Sequence, residues 1–143
     1  MDYFEDLAVG DTDSFGSYEV TEAEVVEFAE RYDPQPFHTD PEAAAASPFG
    51  GLVASGWHTA AMTMRMLVEG ALSEMATRGA VGVDELRWRQ PVRPGQTLSV
   101  EVEVAGKRDW DDETGLAEVA ITTLADGDTA LIMTGLVLVS RRS

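Results

Sequence analysis

The sequence predicts an α+β domain in which one antiparallel sheet wraps around a single long helix. Three observations carry that prediction. The stretch from about Gly56 to Arg78 holds Ala60, Ala61, Met62, Met64, Met66, Leu67, Val68, Ala71, Leu72 and Met75. Its first half is apolar nearly all the way round, as in a helix sunk in a core. Beyond it, apolar and polar residues alternate between turn signals, which reads as four strands in antiparallel succession. No internal repeat or low-complexity linker interrupts the sequence, so residues 1–143 are expected to form one domain.

The elements follow in order. An irregular entry leads to a short strand around Ser14–Val20. Thr21-Glu22-Ala23-Glu24 has the form of a capping box, with Thr21 at the N-cap and Glu24 reaching back. Val25, Phe28, Ala29 and Tyr32 then recur at the spacing of one helical face. Asp33 precedes Pro34 and is pushed out of the α region, so this helix should end near Tyr32. Asp33-Pro34-Gln35-Pro36-Phe37-His38 is expected to be stiff and extended, because two prolines fix φ within it. Pro41–Ser47 reads as a short helix and Pro48-Phe49-Gly50-Gly51 as a loop. Ser55 is the candidate N-cap of the long helix and Gly79 its stop, which gives roughly 34 Å of helix. The strand runs are Val81, Val83, Leu86 and Trp88; Leu98, Val100, Val102 and Val104; Ala117, Val119, Ile121 and Thr123; and Ala130–Val139. Pro94-Gly95, Asp109–Gly115 and Ala125-Asp126-Gly127-Asp128 are the turns between the later ones.

Composition removes several function classes. Ten Lys and Arg face 26 Asp and Glu, a formal charge of −16, so a phosphate backbone or an anionic membrane would be repelled. There is no cysteine, which excludes disulfides, thiolate nucleophiles and Cys-ligated metal centres. The basic residues are nine Arg and one Lys, and the sequence pI is near 4.2. Adaptation to high salt accounts for that acidity better than codon bias alone, since screening relieves the repulsion among carboxylates. The acidic start Met1–Asp6 has no basic and apolar leader pattern, and no run of 18 apolar residues occurs. The expectation is a cytoplasmic protein that neither spans nor binds a membrane.

Only two histidines occur, His38 and His58. His38 lies five residues after Asp33, across the proline-braced segment. A carboxylate and an imidazole held near one another can grip a water and take its proton. On spacing alone, a turn with a capping aspartate explains the same residues. A second signal is Gly50-Gly51-Leu52-Val53-Ala54-Ser55-Gly56, which runs into the long helix. A helix start presents free N–H groups, and Gly56 lets an oxygen approach its amide, as in an oxyanion hole. Glycines that only permit a tight turn are the alternative here.

The run Arg31-Tyr32-Asp33-Pro34-Gln35-Pro36-Phe37-His38-Thr39-Asp40-Pro41, followed by Phe49-Gly50-Gly51-Leu52-Val53-Ala54-Ser55-Gly56-Trp57-His58, resembles the MaoC-like acyl dehydratases and (R)-specific enoyl-CoA hydratases of the hot-dog fold. Leu86–Leu98 resembles the strand and turn that follow in that family. Gln35 stands where the family pattern has Asn, Phe37 where it has an aliphatic residue, and Ser55 where a His commonly precedes the glycine. The resemblance implies a single hot-dog domain that hydrates a 2-enoyl thioester, or dehydrates a 3-hydroxyacyl thioester, on coenzyme A or an acyl carrier protein. Asp33 and His38 would be the catalytic pair. Gly56, Ser55, Gln35 and Trp57 would lie on the oxyanion and substrate side. Neither a metal nor a cofactor is implied, and the expected assembly is a homodimer whose sheets join. A thioesterase, a dehydratase of a branched dicarboxylic acyl-CoA, and a non-catalytic acyl-thioester-binding subunit remain alternatives.

Other residues are read as structural. His58 is expected to pack or cap at the helix start, Trp57 and Trp88 to make core or dimer contacts, and the methionines to pack the buried helix. Arg87, Arg89, Arg93, Lys107 and Arg108 are read first as solvated charges, with phosphate pairing as the alternative. Asp109, Asp111, Asp112 and Glu113 lack the spacing of a calcium loop.

Overall fold

The computed structural model describes residues 1–143. Five strands, β1 (Thr12–Glu19), β2 (Thr77–Trp88), β3 (Thr97–Asp109), β4 (Thr114–Ala125) and β5 (Asp128–Ser140), form one antiparallel sheet in the order β1-β3-β4-β5-β2. Four helices precede β2: α1 (Glu22–Tyr32), α2 (Pro36–Thr39), α3 (Pro41–Ala45) and α4 (Gly56–Gly70). The strands from β3 to β5 form a meander, as the turn signals predict. The first of the four predicted strands does not join it in succession: β2 pairs with β5, with Gly82 opposite Leu136, and becomes an edge.

Helix α4 crosses the sheet and buries a narrow stripe of His58, Thr59, Met62, Thr63, Met66 and Leu67. That spacing is one helical face, so the helix is not covered all round. Trp57, Met64 and Val68 are exposed. Under the stripe, Leu98 and Val100 of β3, Ile121 and Ala125 of β4 and Ala130 of β5 form the main core with Val20, Val25, Leu52 and Val92. One polar link crosses it: the Thr63 hydroxyl donates to the Thr59 carbonyl at 2.8 Å and accepts from Thr123 Oγ1 of β4 at 2.6 Å. A smaller cluster of Phe4, Leu7, Ala117, Val137 and Val139 closes the far end.

The long helix is shorter than the sequence predicts. It stops at Gly70, about 22 Å from its start, not near Arg78. Gly70 lies flat against the Phe15 ring, where a Cβ would collide. The chain then makes a 3₁₀ turn, Leu72–Glu74, and the N-terminus takes over: Asp2 N donates to Glu74 O and Ala76 N to Asp2 O. Gly79 does not stop a helix. It sits within β2 at φ +112, beside a register shift against β5.

The N-terminal half of the capping box is as expected, since Thr21 Oγ1 accepts from Glu24 N at 3.2 Å. The reciprocal half is absent because the Glu24 carboxylate is used by Tyr18 and His58 instead. Helix α1 ends at Tyr32 as the Asp-Pro step predicts. The next segment is not extended throughout. Pro36 is the first residue of the helical turn α2, a position where its missing N–H costs nothing.

Candidate active site

Asp33 is the C-cap of α1, and His38 sits one turn on, in α2. The proline-braced step between them folds the chain so that Asp33 Oδ2 and His38 Nε2 face each other at 3.3 Å. A third chain segment fixes the imidazole. Val53 N–H donates to Phe37 O at 3.2 Å, and Val53 O lies 2.6 Å from His38 Nδ1. A carbonyl only accepts, so Nδ1 carries the hydrogen and Nε2 presents its lone pair towards Asp33. The Val53 segment is itself tied down by Ala54 N donating to Val92 O at 2.8 Å.

Both oxygens of Asp33 are engaged. Oδ1 accepts from Gln35 Nε2 at 2.6 Å and Oδ2 from Ser55 Oγ at 2.7 Å. Partial burial pushes the Asp33 carboxyl up, but these two hydrogen bonds, together with the charge that His38 carries when protonated, hold it below the usual carboxylate value. Ser55 is buried and serves two ends at once, since its Oγ also caps α4 by accepting from Trp57 N at 3.2 Å. Gln35 and Ser55 are thus directed at the carboxylate and not into the cavity.

That cavity, about 290 Å³, lies on the imidazole side of the pair. His38, Gly56, Thr59 and Trp88 line it, with Phe37, Phe49 and Val92 as apolar wall. As the first residue of α4, Gly56 has no carbonyl one turn back within the helix for its N–H. His38 and Gly56 therefore share one cavity while Asp33 reaches it through His38. Trp57 lies outside the lining, 59% exposed, with its ring edge-on to Trp88.

Sequence reasoning passed over two groups, while His58 packs as it expects. Trp88 does not pack in the core. Its Nε1–H donates to Gly56 O at 2.9 Å, across 32 residues that no motif spans. Arg93 is not a solvated charge: its guanidinium donates to Phe49 O at 2.7 Å and holds the Gly50–Gly51 loop. His58 is buried away from the pair. It stacks on Phe28 at 4.7 Å, and Nε2–H donates to Glu24 Oε1 at 3.1 Å. Glu24 Oε1 also accepts from the Tyr18 hydroxyl, which pushes that phenol up to about 12. The charge pattern of the strand ends gave no hint of Arg93, but the capping-box glutamate was a visible candidate partner for His58. No group of three or more His, Asp or Glu side chains is placed to hold a metal ion.

Residues 8–125 match the family model described as the MaoC like domain. The chain belongs to the MaoC-like family. It is 42% identical to the MaoC-like dehydratase of Rhodospirillum rubrum, whose crystal structure superposes with a TM-score of 0.92 over 100% of this chain and 99% of that one. The (R)-hydratase of A. caviae involved in PHA biosynthesis is 27% identical, with a TM-score of 0.75 over 92% of this chain and 96% of that one. A 3-hydroxybutyryl-CoA dehydratase of Methylorubrum extorquens is 39% identical over 72% of this chain, which spans 64% of that protein's length. The architecture of this MaoC-like chain is accordingly the hot-dog fold, with α4 as the helix the sheet enfolds.

Proposed function

We propose that this MaoC-like protein catalyses the reversible addition of water to a trans-2-enoyl thioester, giving the (R)-3-hydroxyacyl thioester. The observation that carries this reading is the 3.3 Å pairing of Asp33 Oδ2 with His38 Nε2, on a cavity that also contains the Gly56 backbone. Water bridging the two atoms would donate one proton to each acceptor. Asp33, held anionic by Gln35 and Ser55, is the poorer base, so His38 Nε2 takes the proton. The water oxygen bonds to the β-carbon as the double-bond electrons move to the thioester oxygen. The Gly56 N–H, at the positive end of α4, stabilises that enolate oxygen. The proton on His38 then passes to the α-carbon on the same face, and the imidazole is neutral again. Asp33 steadies the transient imidazolium. The substrate is a thioester of coenzyme A or of an acyl carrier protein, and no cofactor takes part in these steps. The (R) outcome is supported by the likeness to an (R)-hydratase, and the thioester class by the dehydratase relatives.

The protein is proposed to act as a homodimer. Strand β2 is an edge with Val81 and Val83 exposed, and Met64 and Val68 of α4 are exposed beside a largely apolar cavity of about 520 Å³ that Val83 also lines. An unpaired apolar edge of this kind is a surface that association covers. Purified protein mixed with crotonyl-CoA should lose the conjugated-thioester absorbance and yield (R)-3-hydroxybutyryl-CoA without release of free thiol. Free thiol would make it a thioesterase, and an unchanged substrate would remove the hydratase reading.

A further inference from the structure

The oxyanion donor in this site is a glycine amide, and glycine has no side chain to hold its own backbone direction. The first turn of α4 and its Ser55 cap hold Gly56 from one side. The structure supplies a further group that holds it from the other. The Trp88 indole donates from Nε1 to Gly56 O at 2.9 Å. The same ring occupies the space where a Cβ at residue 56 would stand, its Cε2, Cδ2 and Nε1 being the nearest atoms. The indole is braced in turn: Trp57 meets it edge-on at 5.1 Å and 83°. Its backbone is anchored to β5, with Trp88 paired to Leu131 and Arg89 N donating to Ala130 O at 2.7 Å. Trp88 is 45% exposed, so core burial is not its main contribution. Its position on the wall of the cavity shared by His38 and Gly56 puts the contact at the reacting end.

We infer that Trp88 is a positioning residue: its indole N–H holds the Gly56 carbonyl and its ring packs on the Gly56 Cα, so that the Gly56 N–H, on the preceding peptide, keeps its direction towards the thioester carbonyl. This rests on the hydration reading above. A donor fixed before substrate arrives needs no reorganisation as charge develops on oxygen, which is where such donors act most strongly. A phenylalanine at this position would fill much of the same space and lack the donor. Glycine at 56 therefore answers two needs, approach of the substrate oxygen on one side and of the indole on the other.

The test separates positioning from packing. Butyryl-CoA labelled with ¹³C at the thioester carbonyl cannot be hydrated, and its carbonyl stretch reports polarisation directly. Bound to the unsubstituted chain, the band should shift to lower frequency. In W88F the shift should largely vanish, while thermal unfolding stays within a few degrees. With crotonyl-CoA, W88F should lower kcat about tenfold and leave KM within about twofold, because the lost orientation matters in the transition state. W57A, at an exposed position, removes only the brace and should produce a smaller loss of the same two signals. If both variants keep the band and kcat of the unsubstituted protein, the inference is overturned. A carbonyl band that never shifts in the unsubstituted chain overturns it as well. Failure of the unsubstituted chain to hydrate crotonyl-CoA is a separate result that removes the hydratase reading, while a Trp88-dependent band shift would still place the Gly56 amide on a thioester carbonyl.

Discussion

Two histidines in one small domain meet opposite fates, and their neighbours decide which. His38 has a backbone carbonyl on Nδ1 and a carboxylate across from Nε2, at the wall of a cavity. His58 is 3% exposed, bonded through Nε2 to Glu24, and its Nδ1 has no partner at all. Protonating it would bury a donor with nothing to accept from it. Burial therefore depresses its pKa below 6.5, although the Glu24 hydrogen bond and charge oppose the shift. The unfolded chain then binds a proton near pH 6.5 that the folded chain declines, so stability is complete above that value and falls as the pH drops below it. The urea midpoint of the unsubstituted protein should decline between pH 7 and pH 5. In H58F that decline should flatten, because the titrating group is gone. An equal decline in H58F would show that other groups cause it. Depression of the Asp33 carboxyl acts in a separate window, below its ordinary value of 3.8.

At the scale of elements, what the sequence makes visible is local and periodic. The Asp33-Pro34 step ends α1, and Ser55 caps α4, both through contacts within a few residues. The end of α4 was not visible, because it depends on Phe15 lying against Gly70 and on Asp2 bridging to Met75, contacts far apart in the chain. The edge position of β2 was hidden for the same reason: alternation shows that a strand exists, not which neighbour it takes. For the site, the spacing of Asp33 and His38 was legible, while the Ser55 bond to Asp33 and the Trp88 bond to Gly56 span 22 and 32 residues and leave no pattern. The link between α4 and the sheet through Thr63 and Thr123 is of the same hidden kind, and it is testable. T123V keeps the shape of the side chain but removes the donor to Thr63 Oγ1. It should cost about 1 kcal/mol in equilibrium unfolding, with the sheet otherwise unchanged. A neutral result would mean that the threonine pair holds nothing.

For the molecule as a whole, most of the arginines have a partner, though largely at exposed positions where an ion pair contributes little. Five of them pair with carboxylates, Arg65–Glu69, Arg78–Glu113, Arg108–Glu118, Arg141–Asp109 and Arg142–Asp6, and Arg93 holds a loop. The proposed homodimer rests instead on the apolar β2 edge. V83D puts a charge into that edge, where Val83 is 51% exposed. The unsubstituted chain should sediment at twice 15.4 kDa and V83D at 15.4 kDa. A monomeric unsubstituted chain would overturn the homodimer. The fold as a whole converges on one place, where α1, α2 and the start of α4 bring Asp33, His38 and Gly56 together. The measurement that bears most directly on that convergence is the rate of crotonyl-CoA hydration by D33N and by H38A. Each should retain the thermal unfolding profile of a folded protein and lose about 100- to 10,000-fold in kcat/KM. Undiminished hydration by both variants would contradict the account.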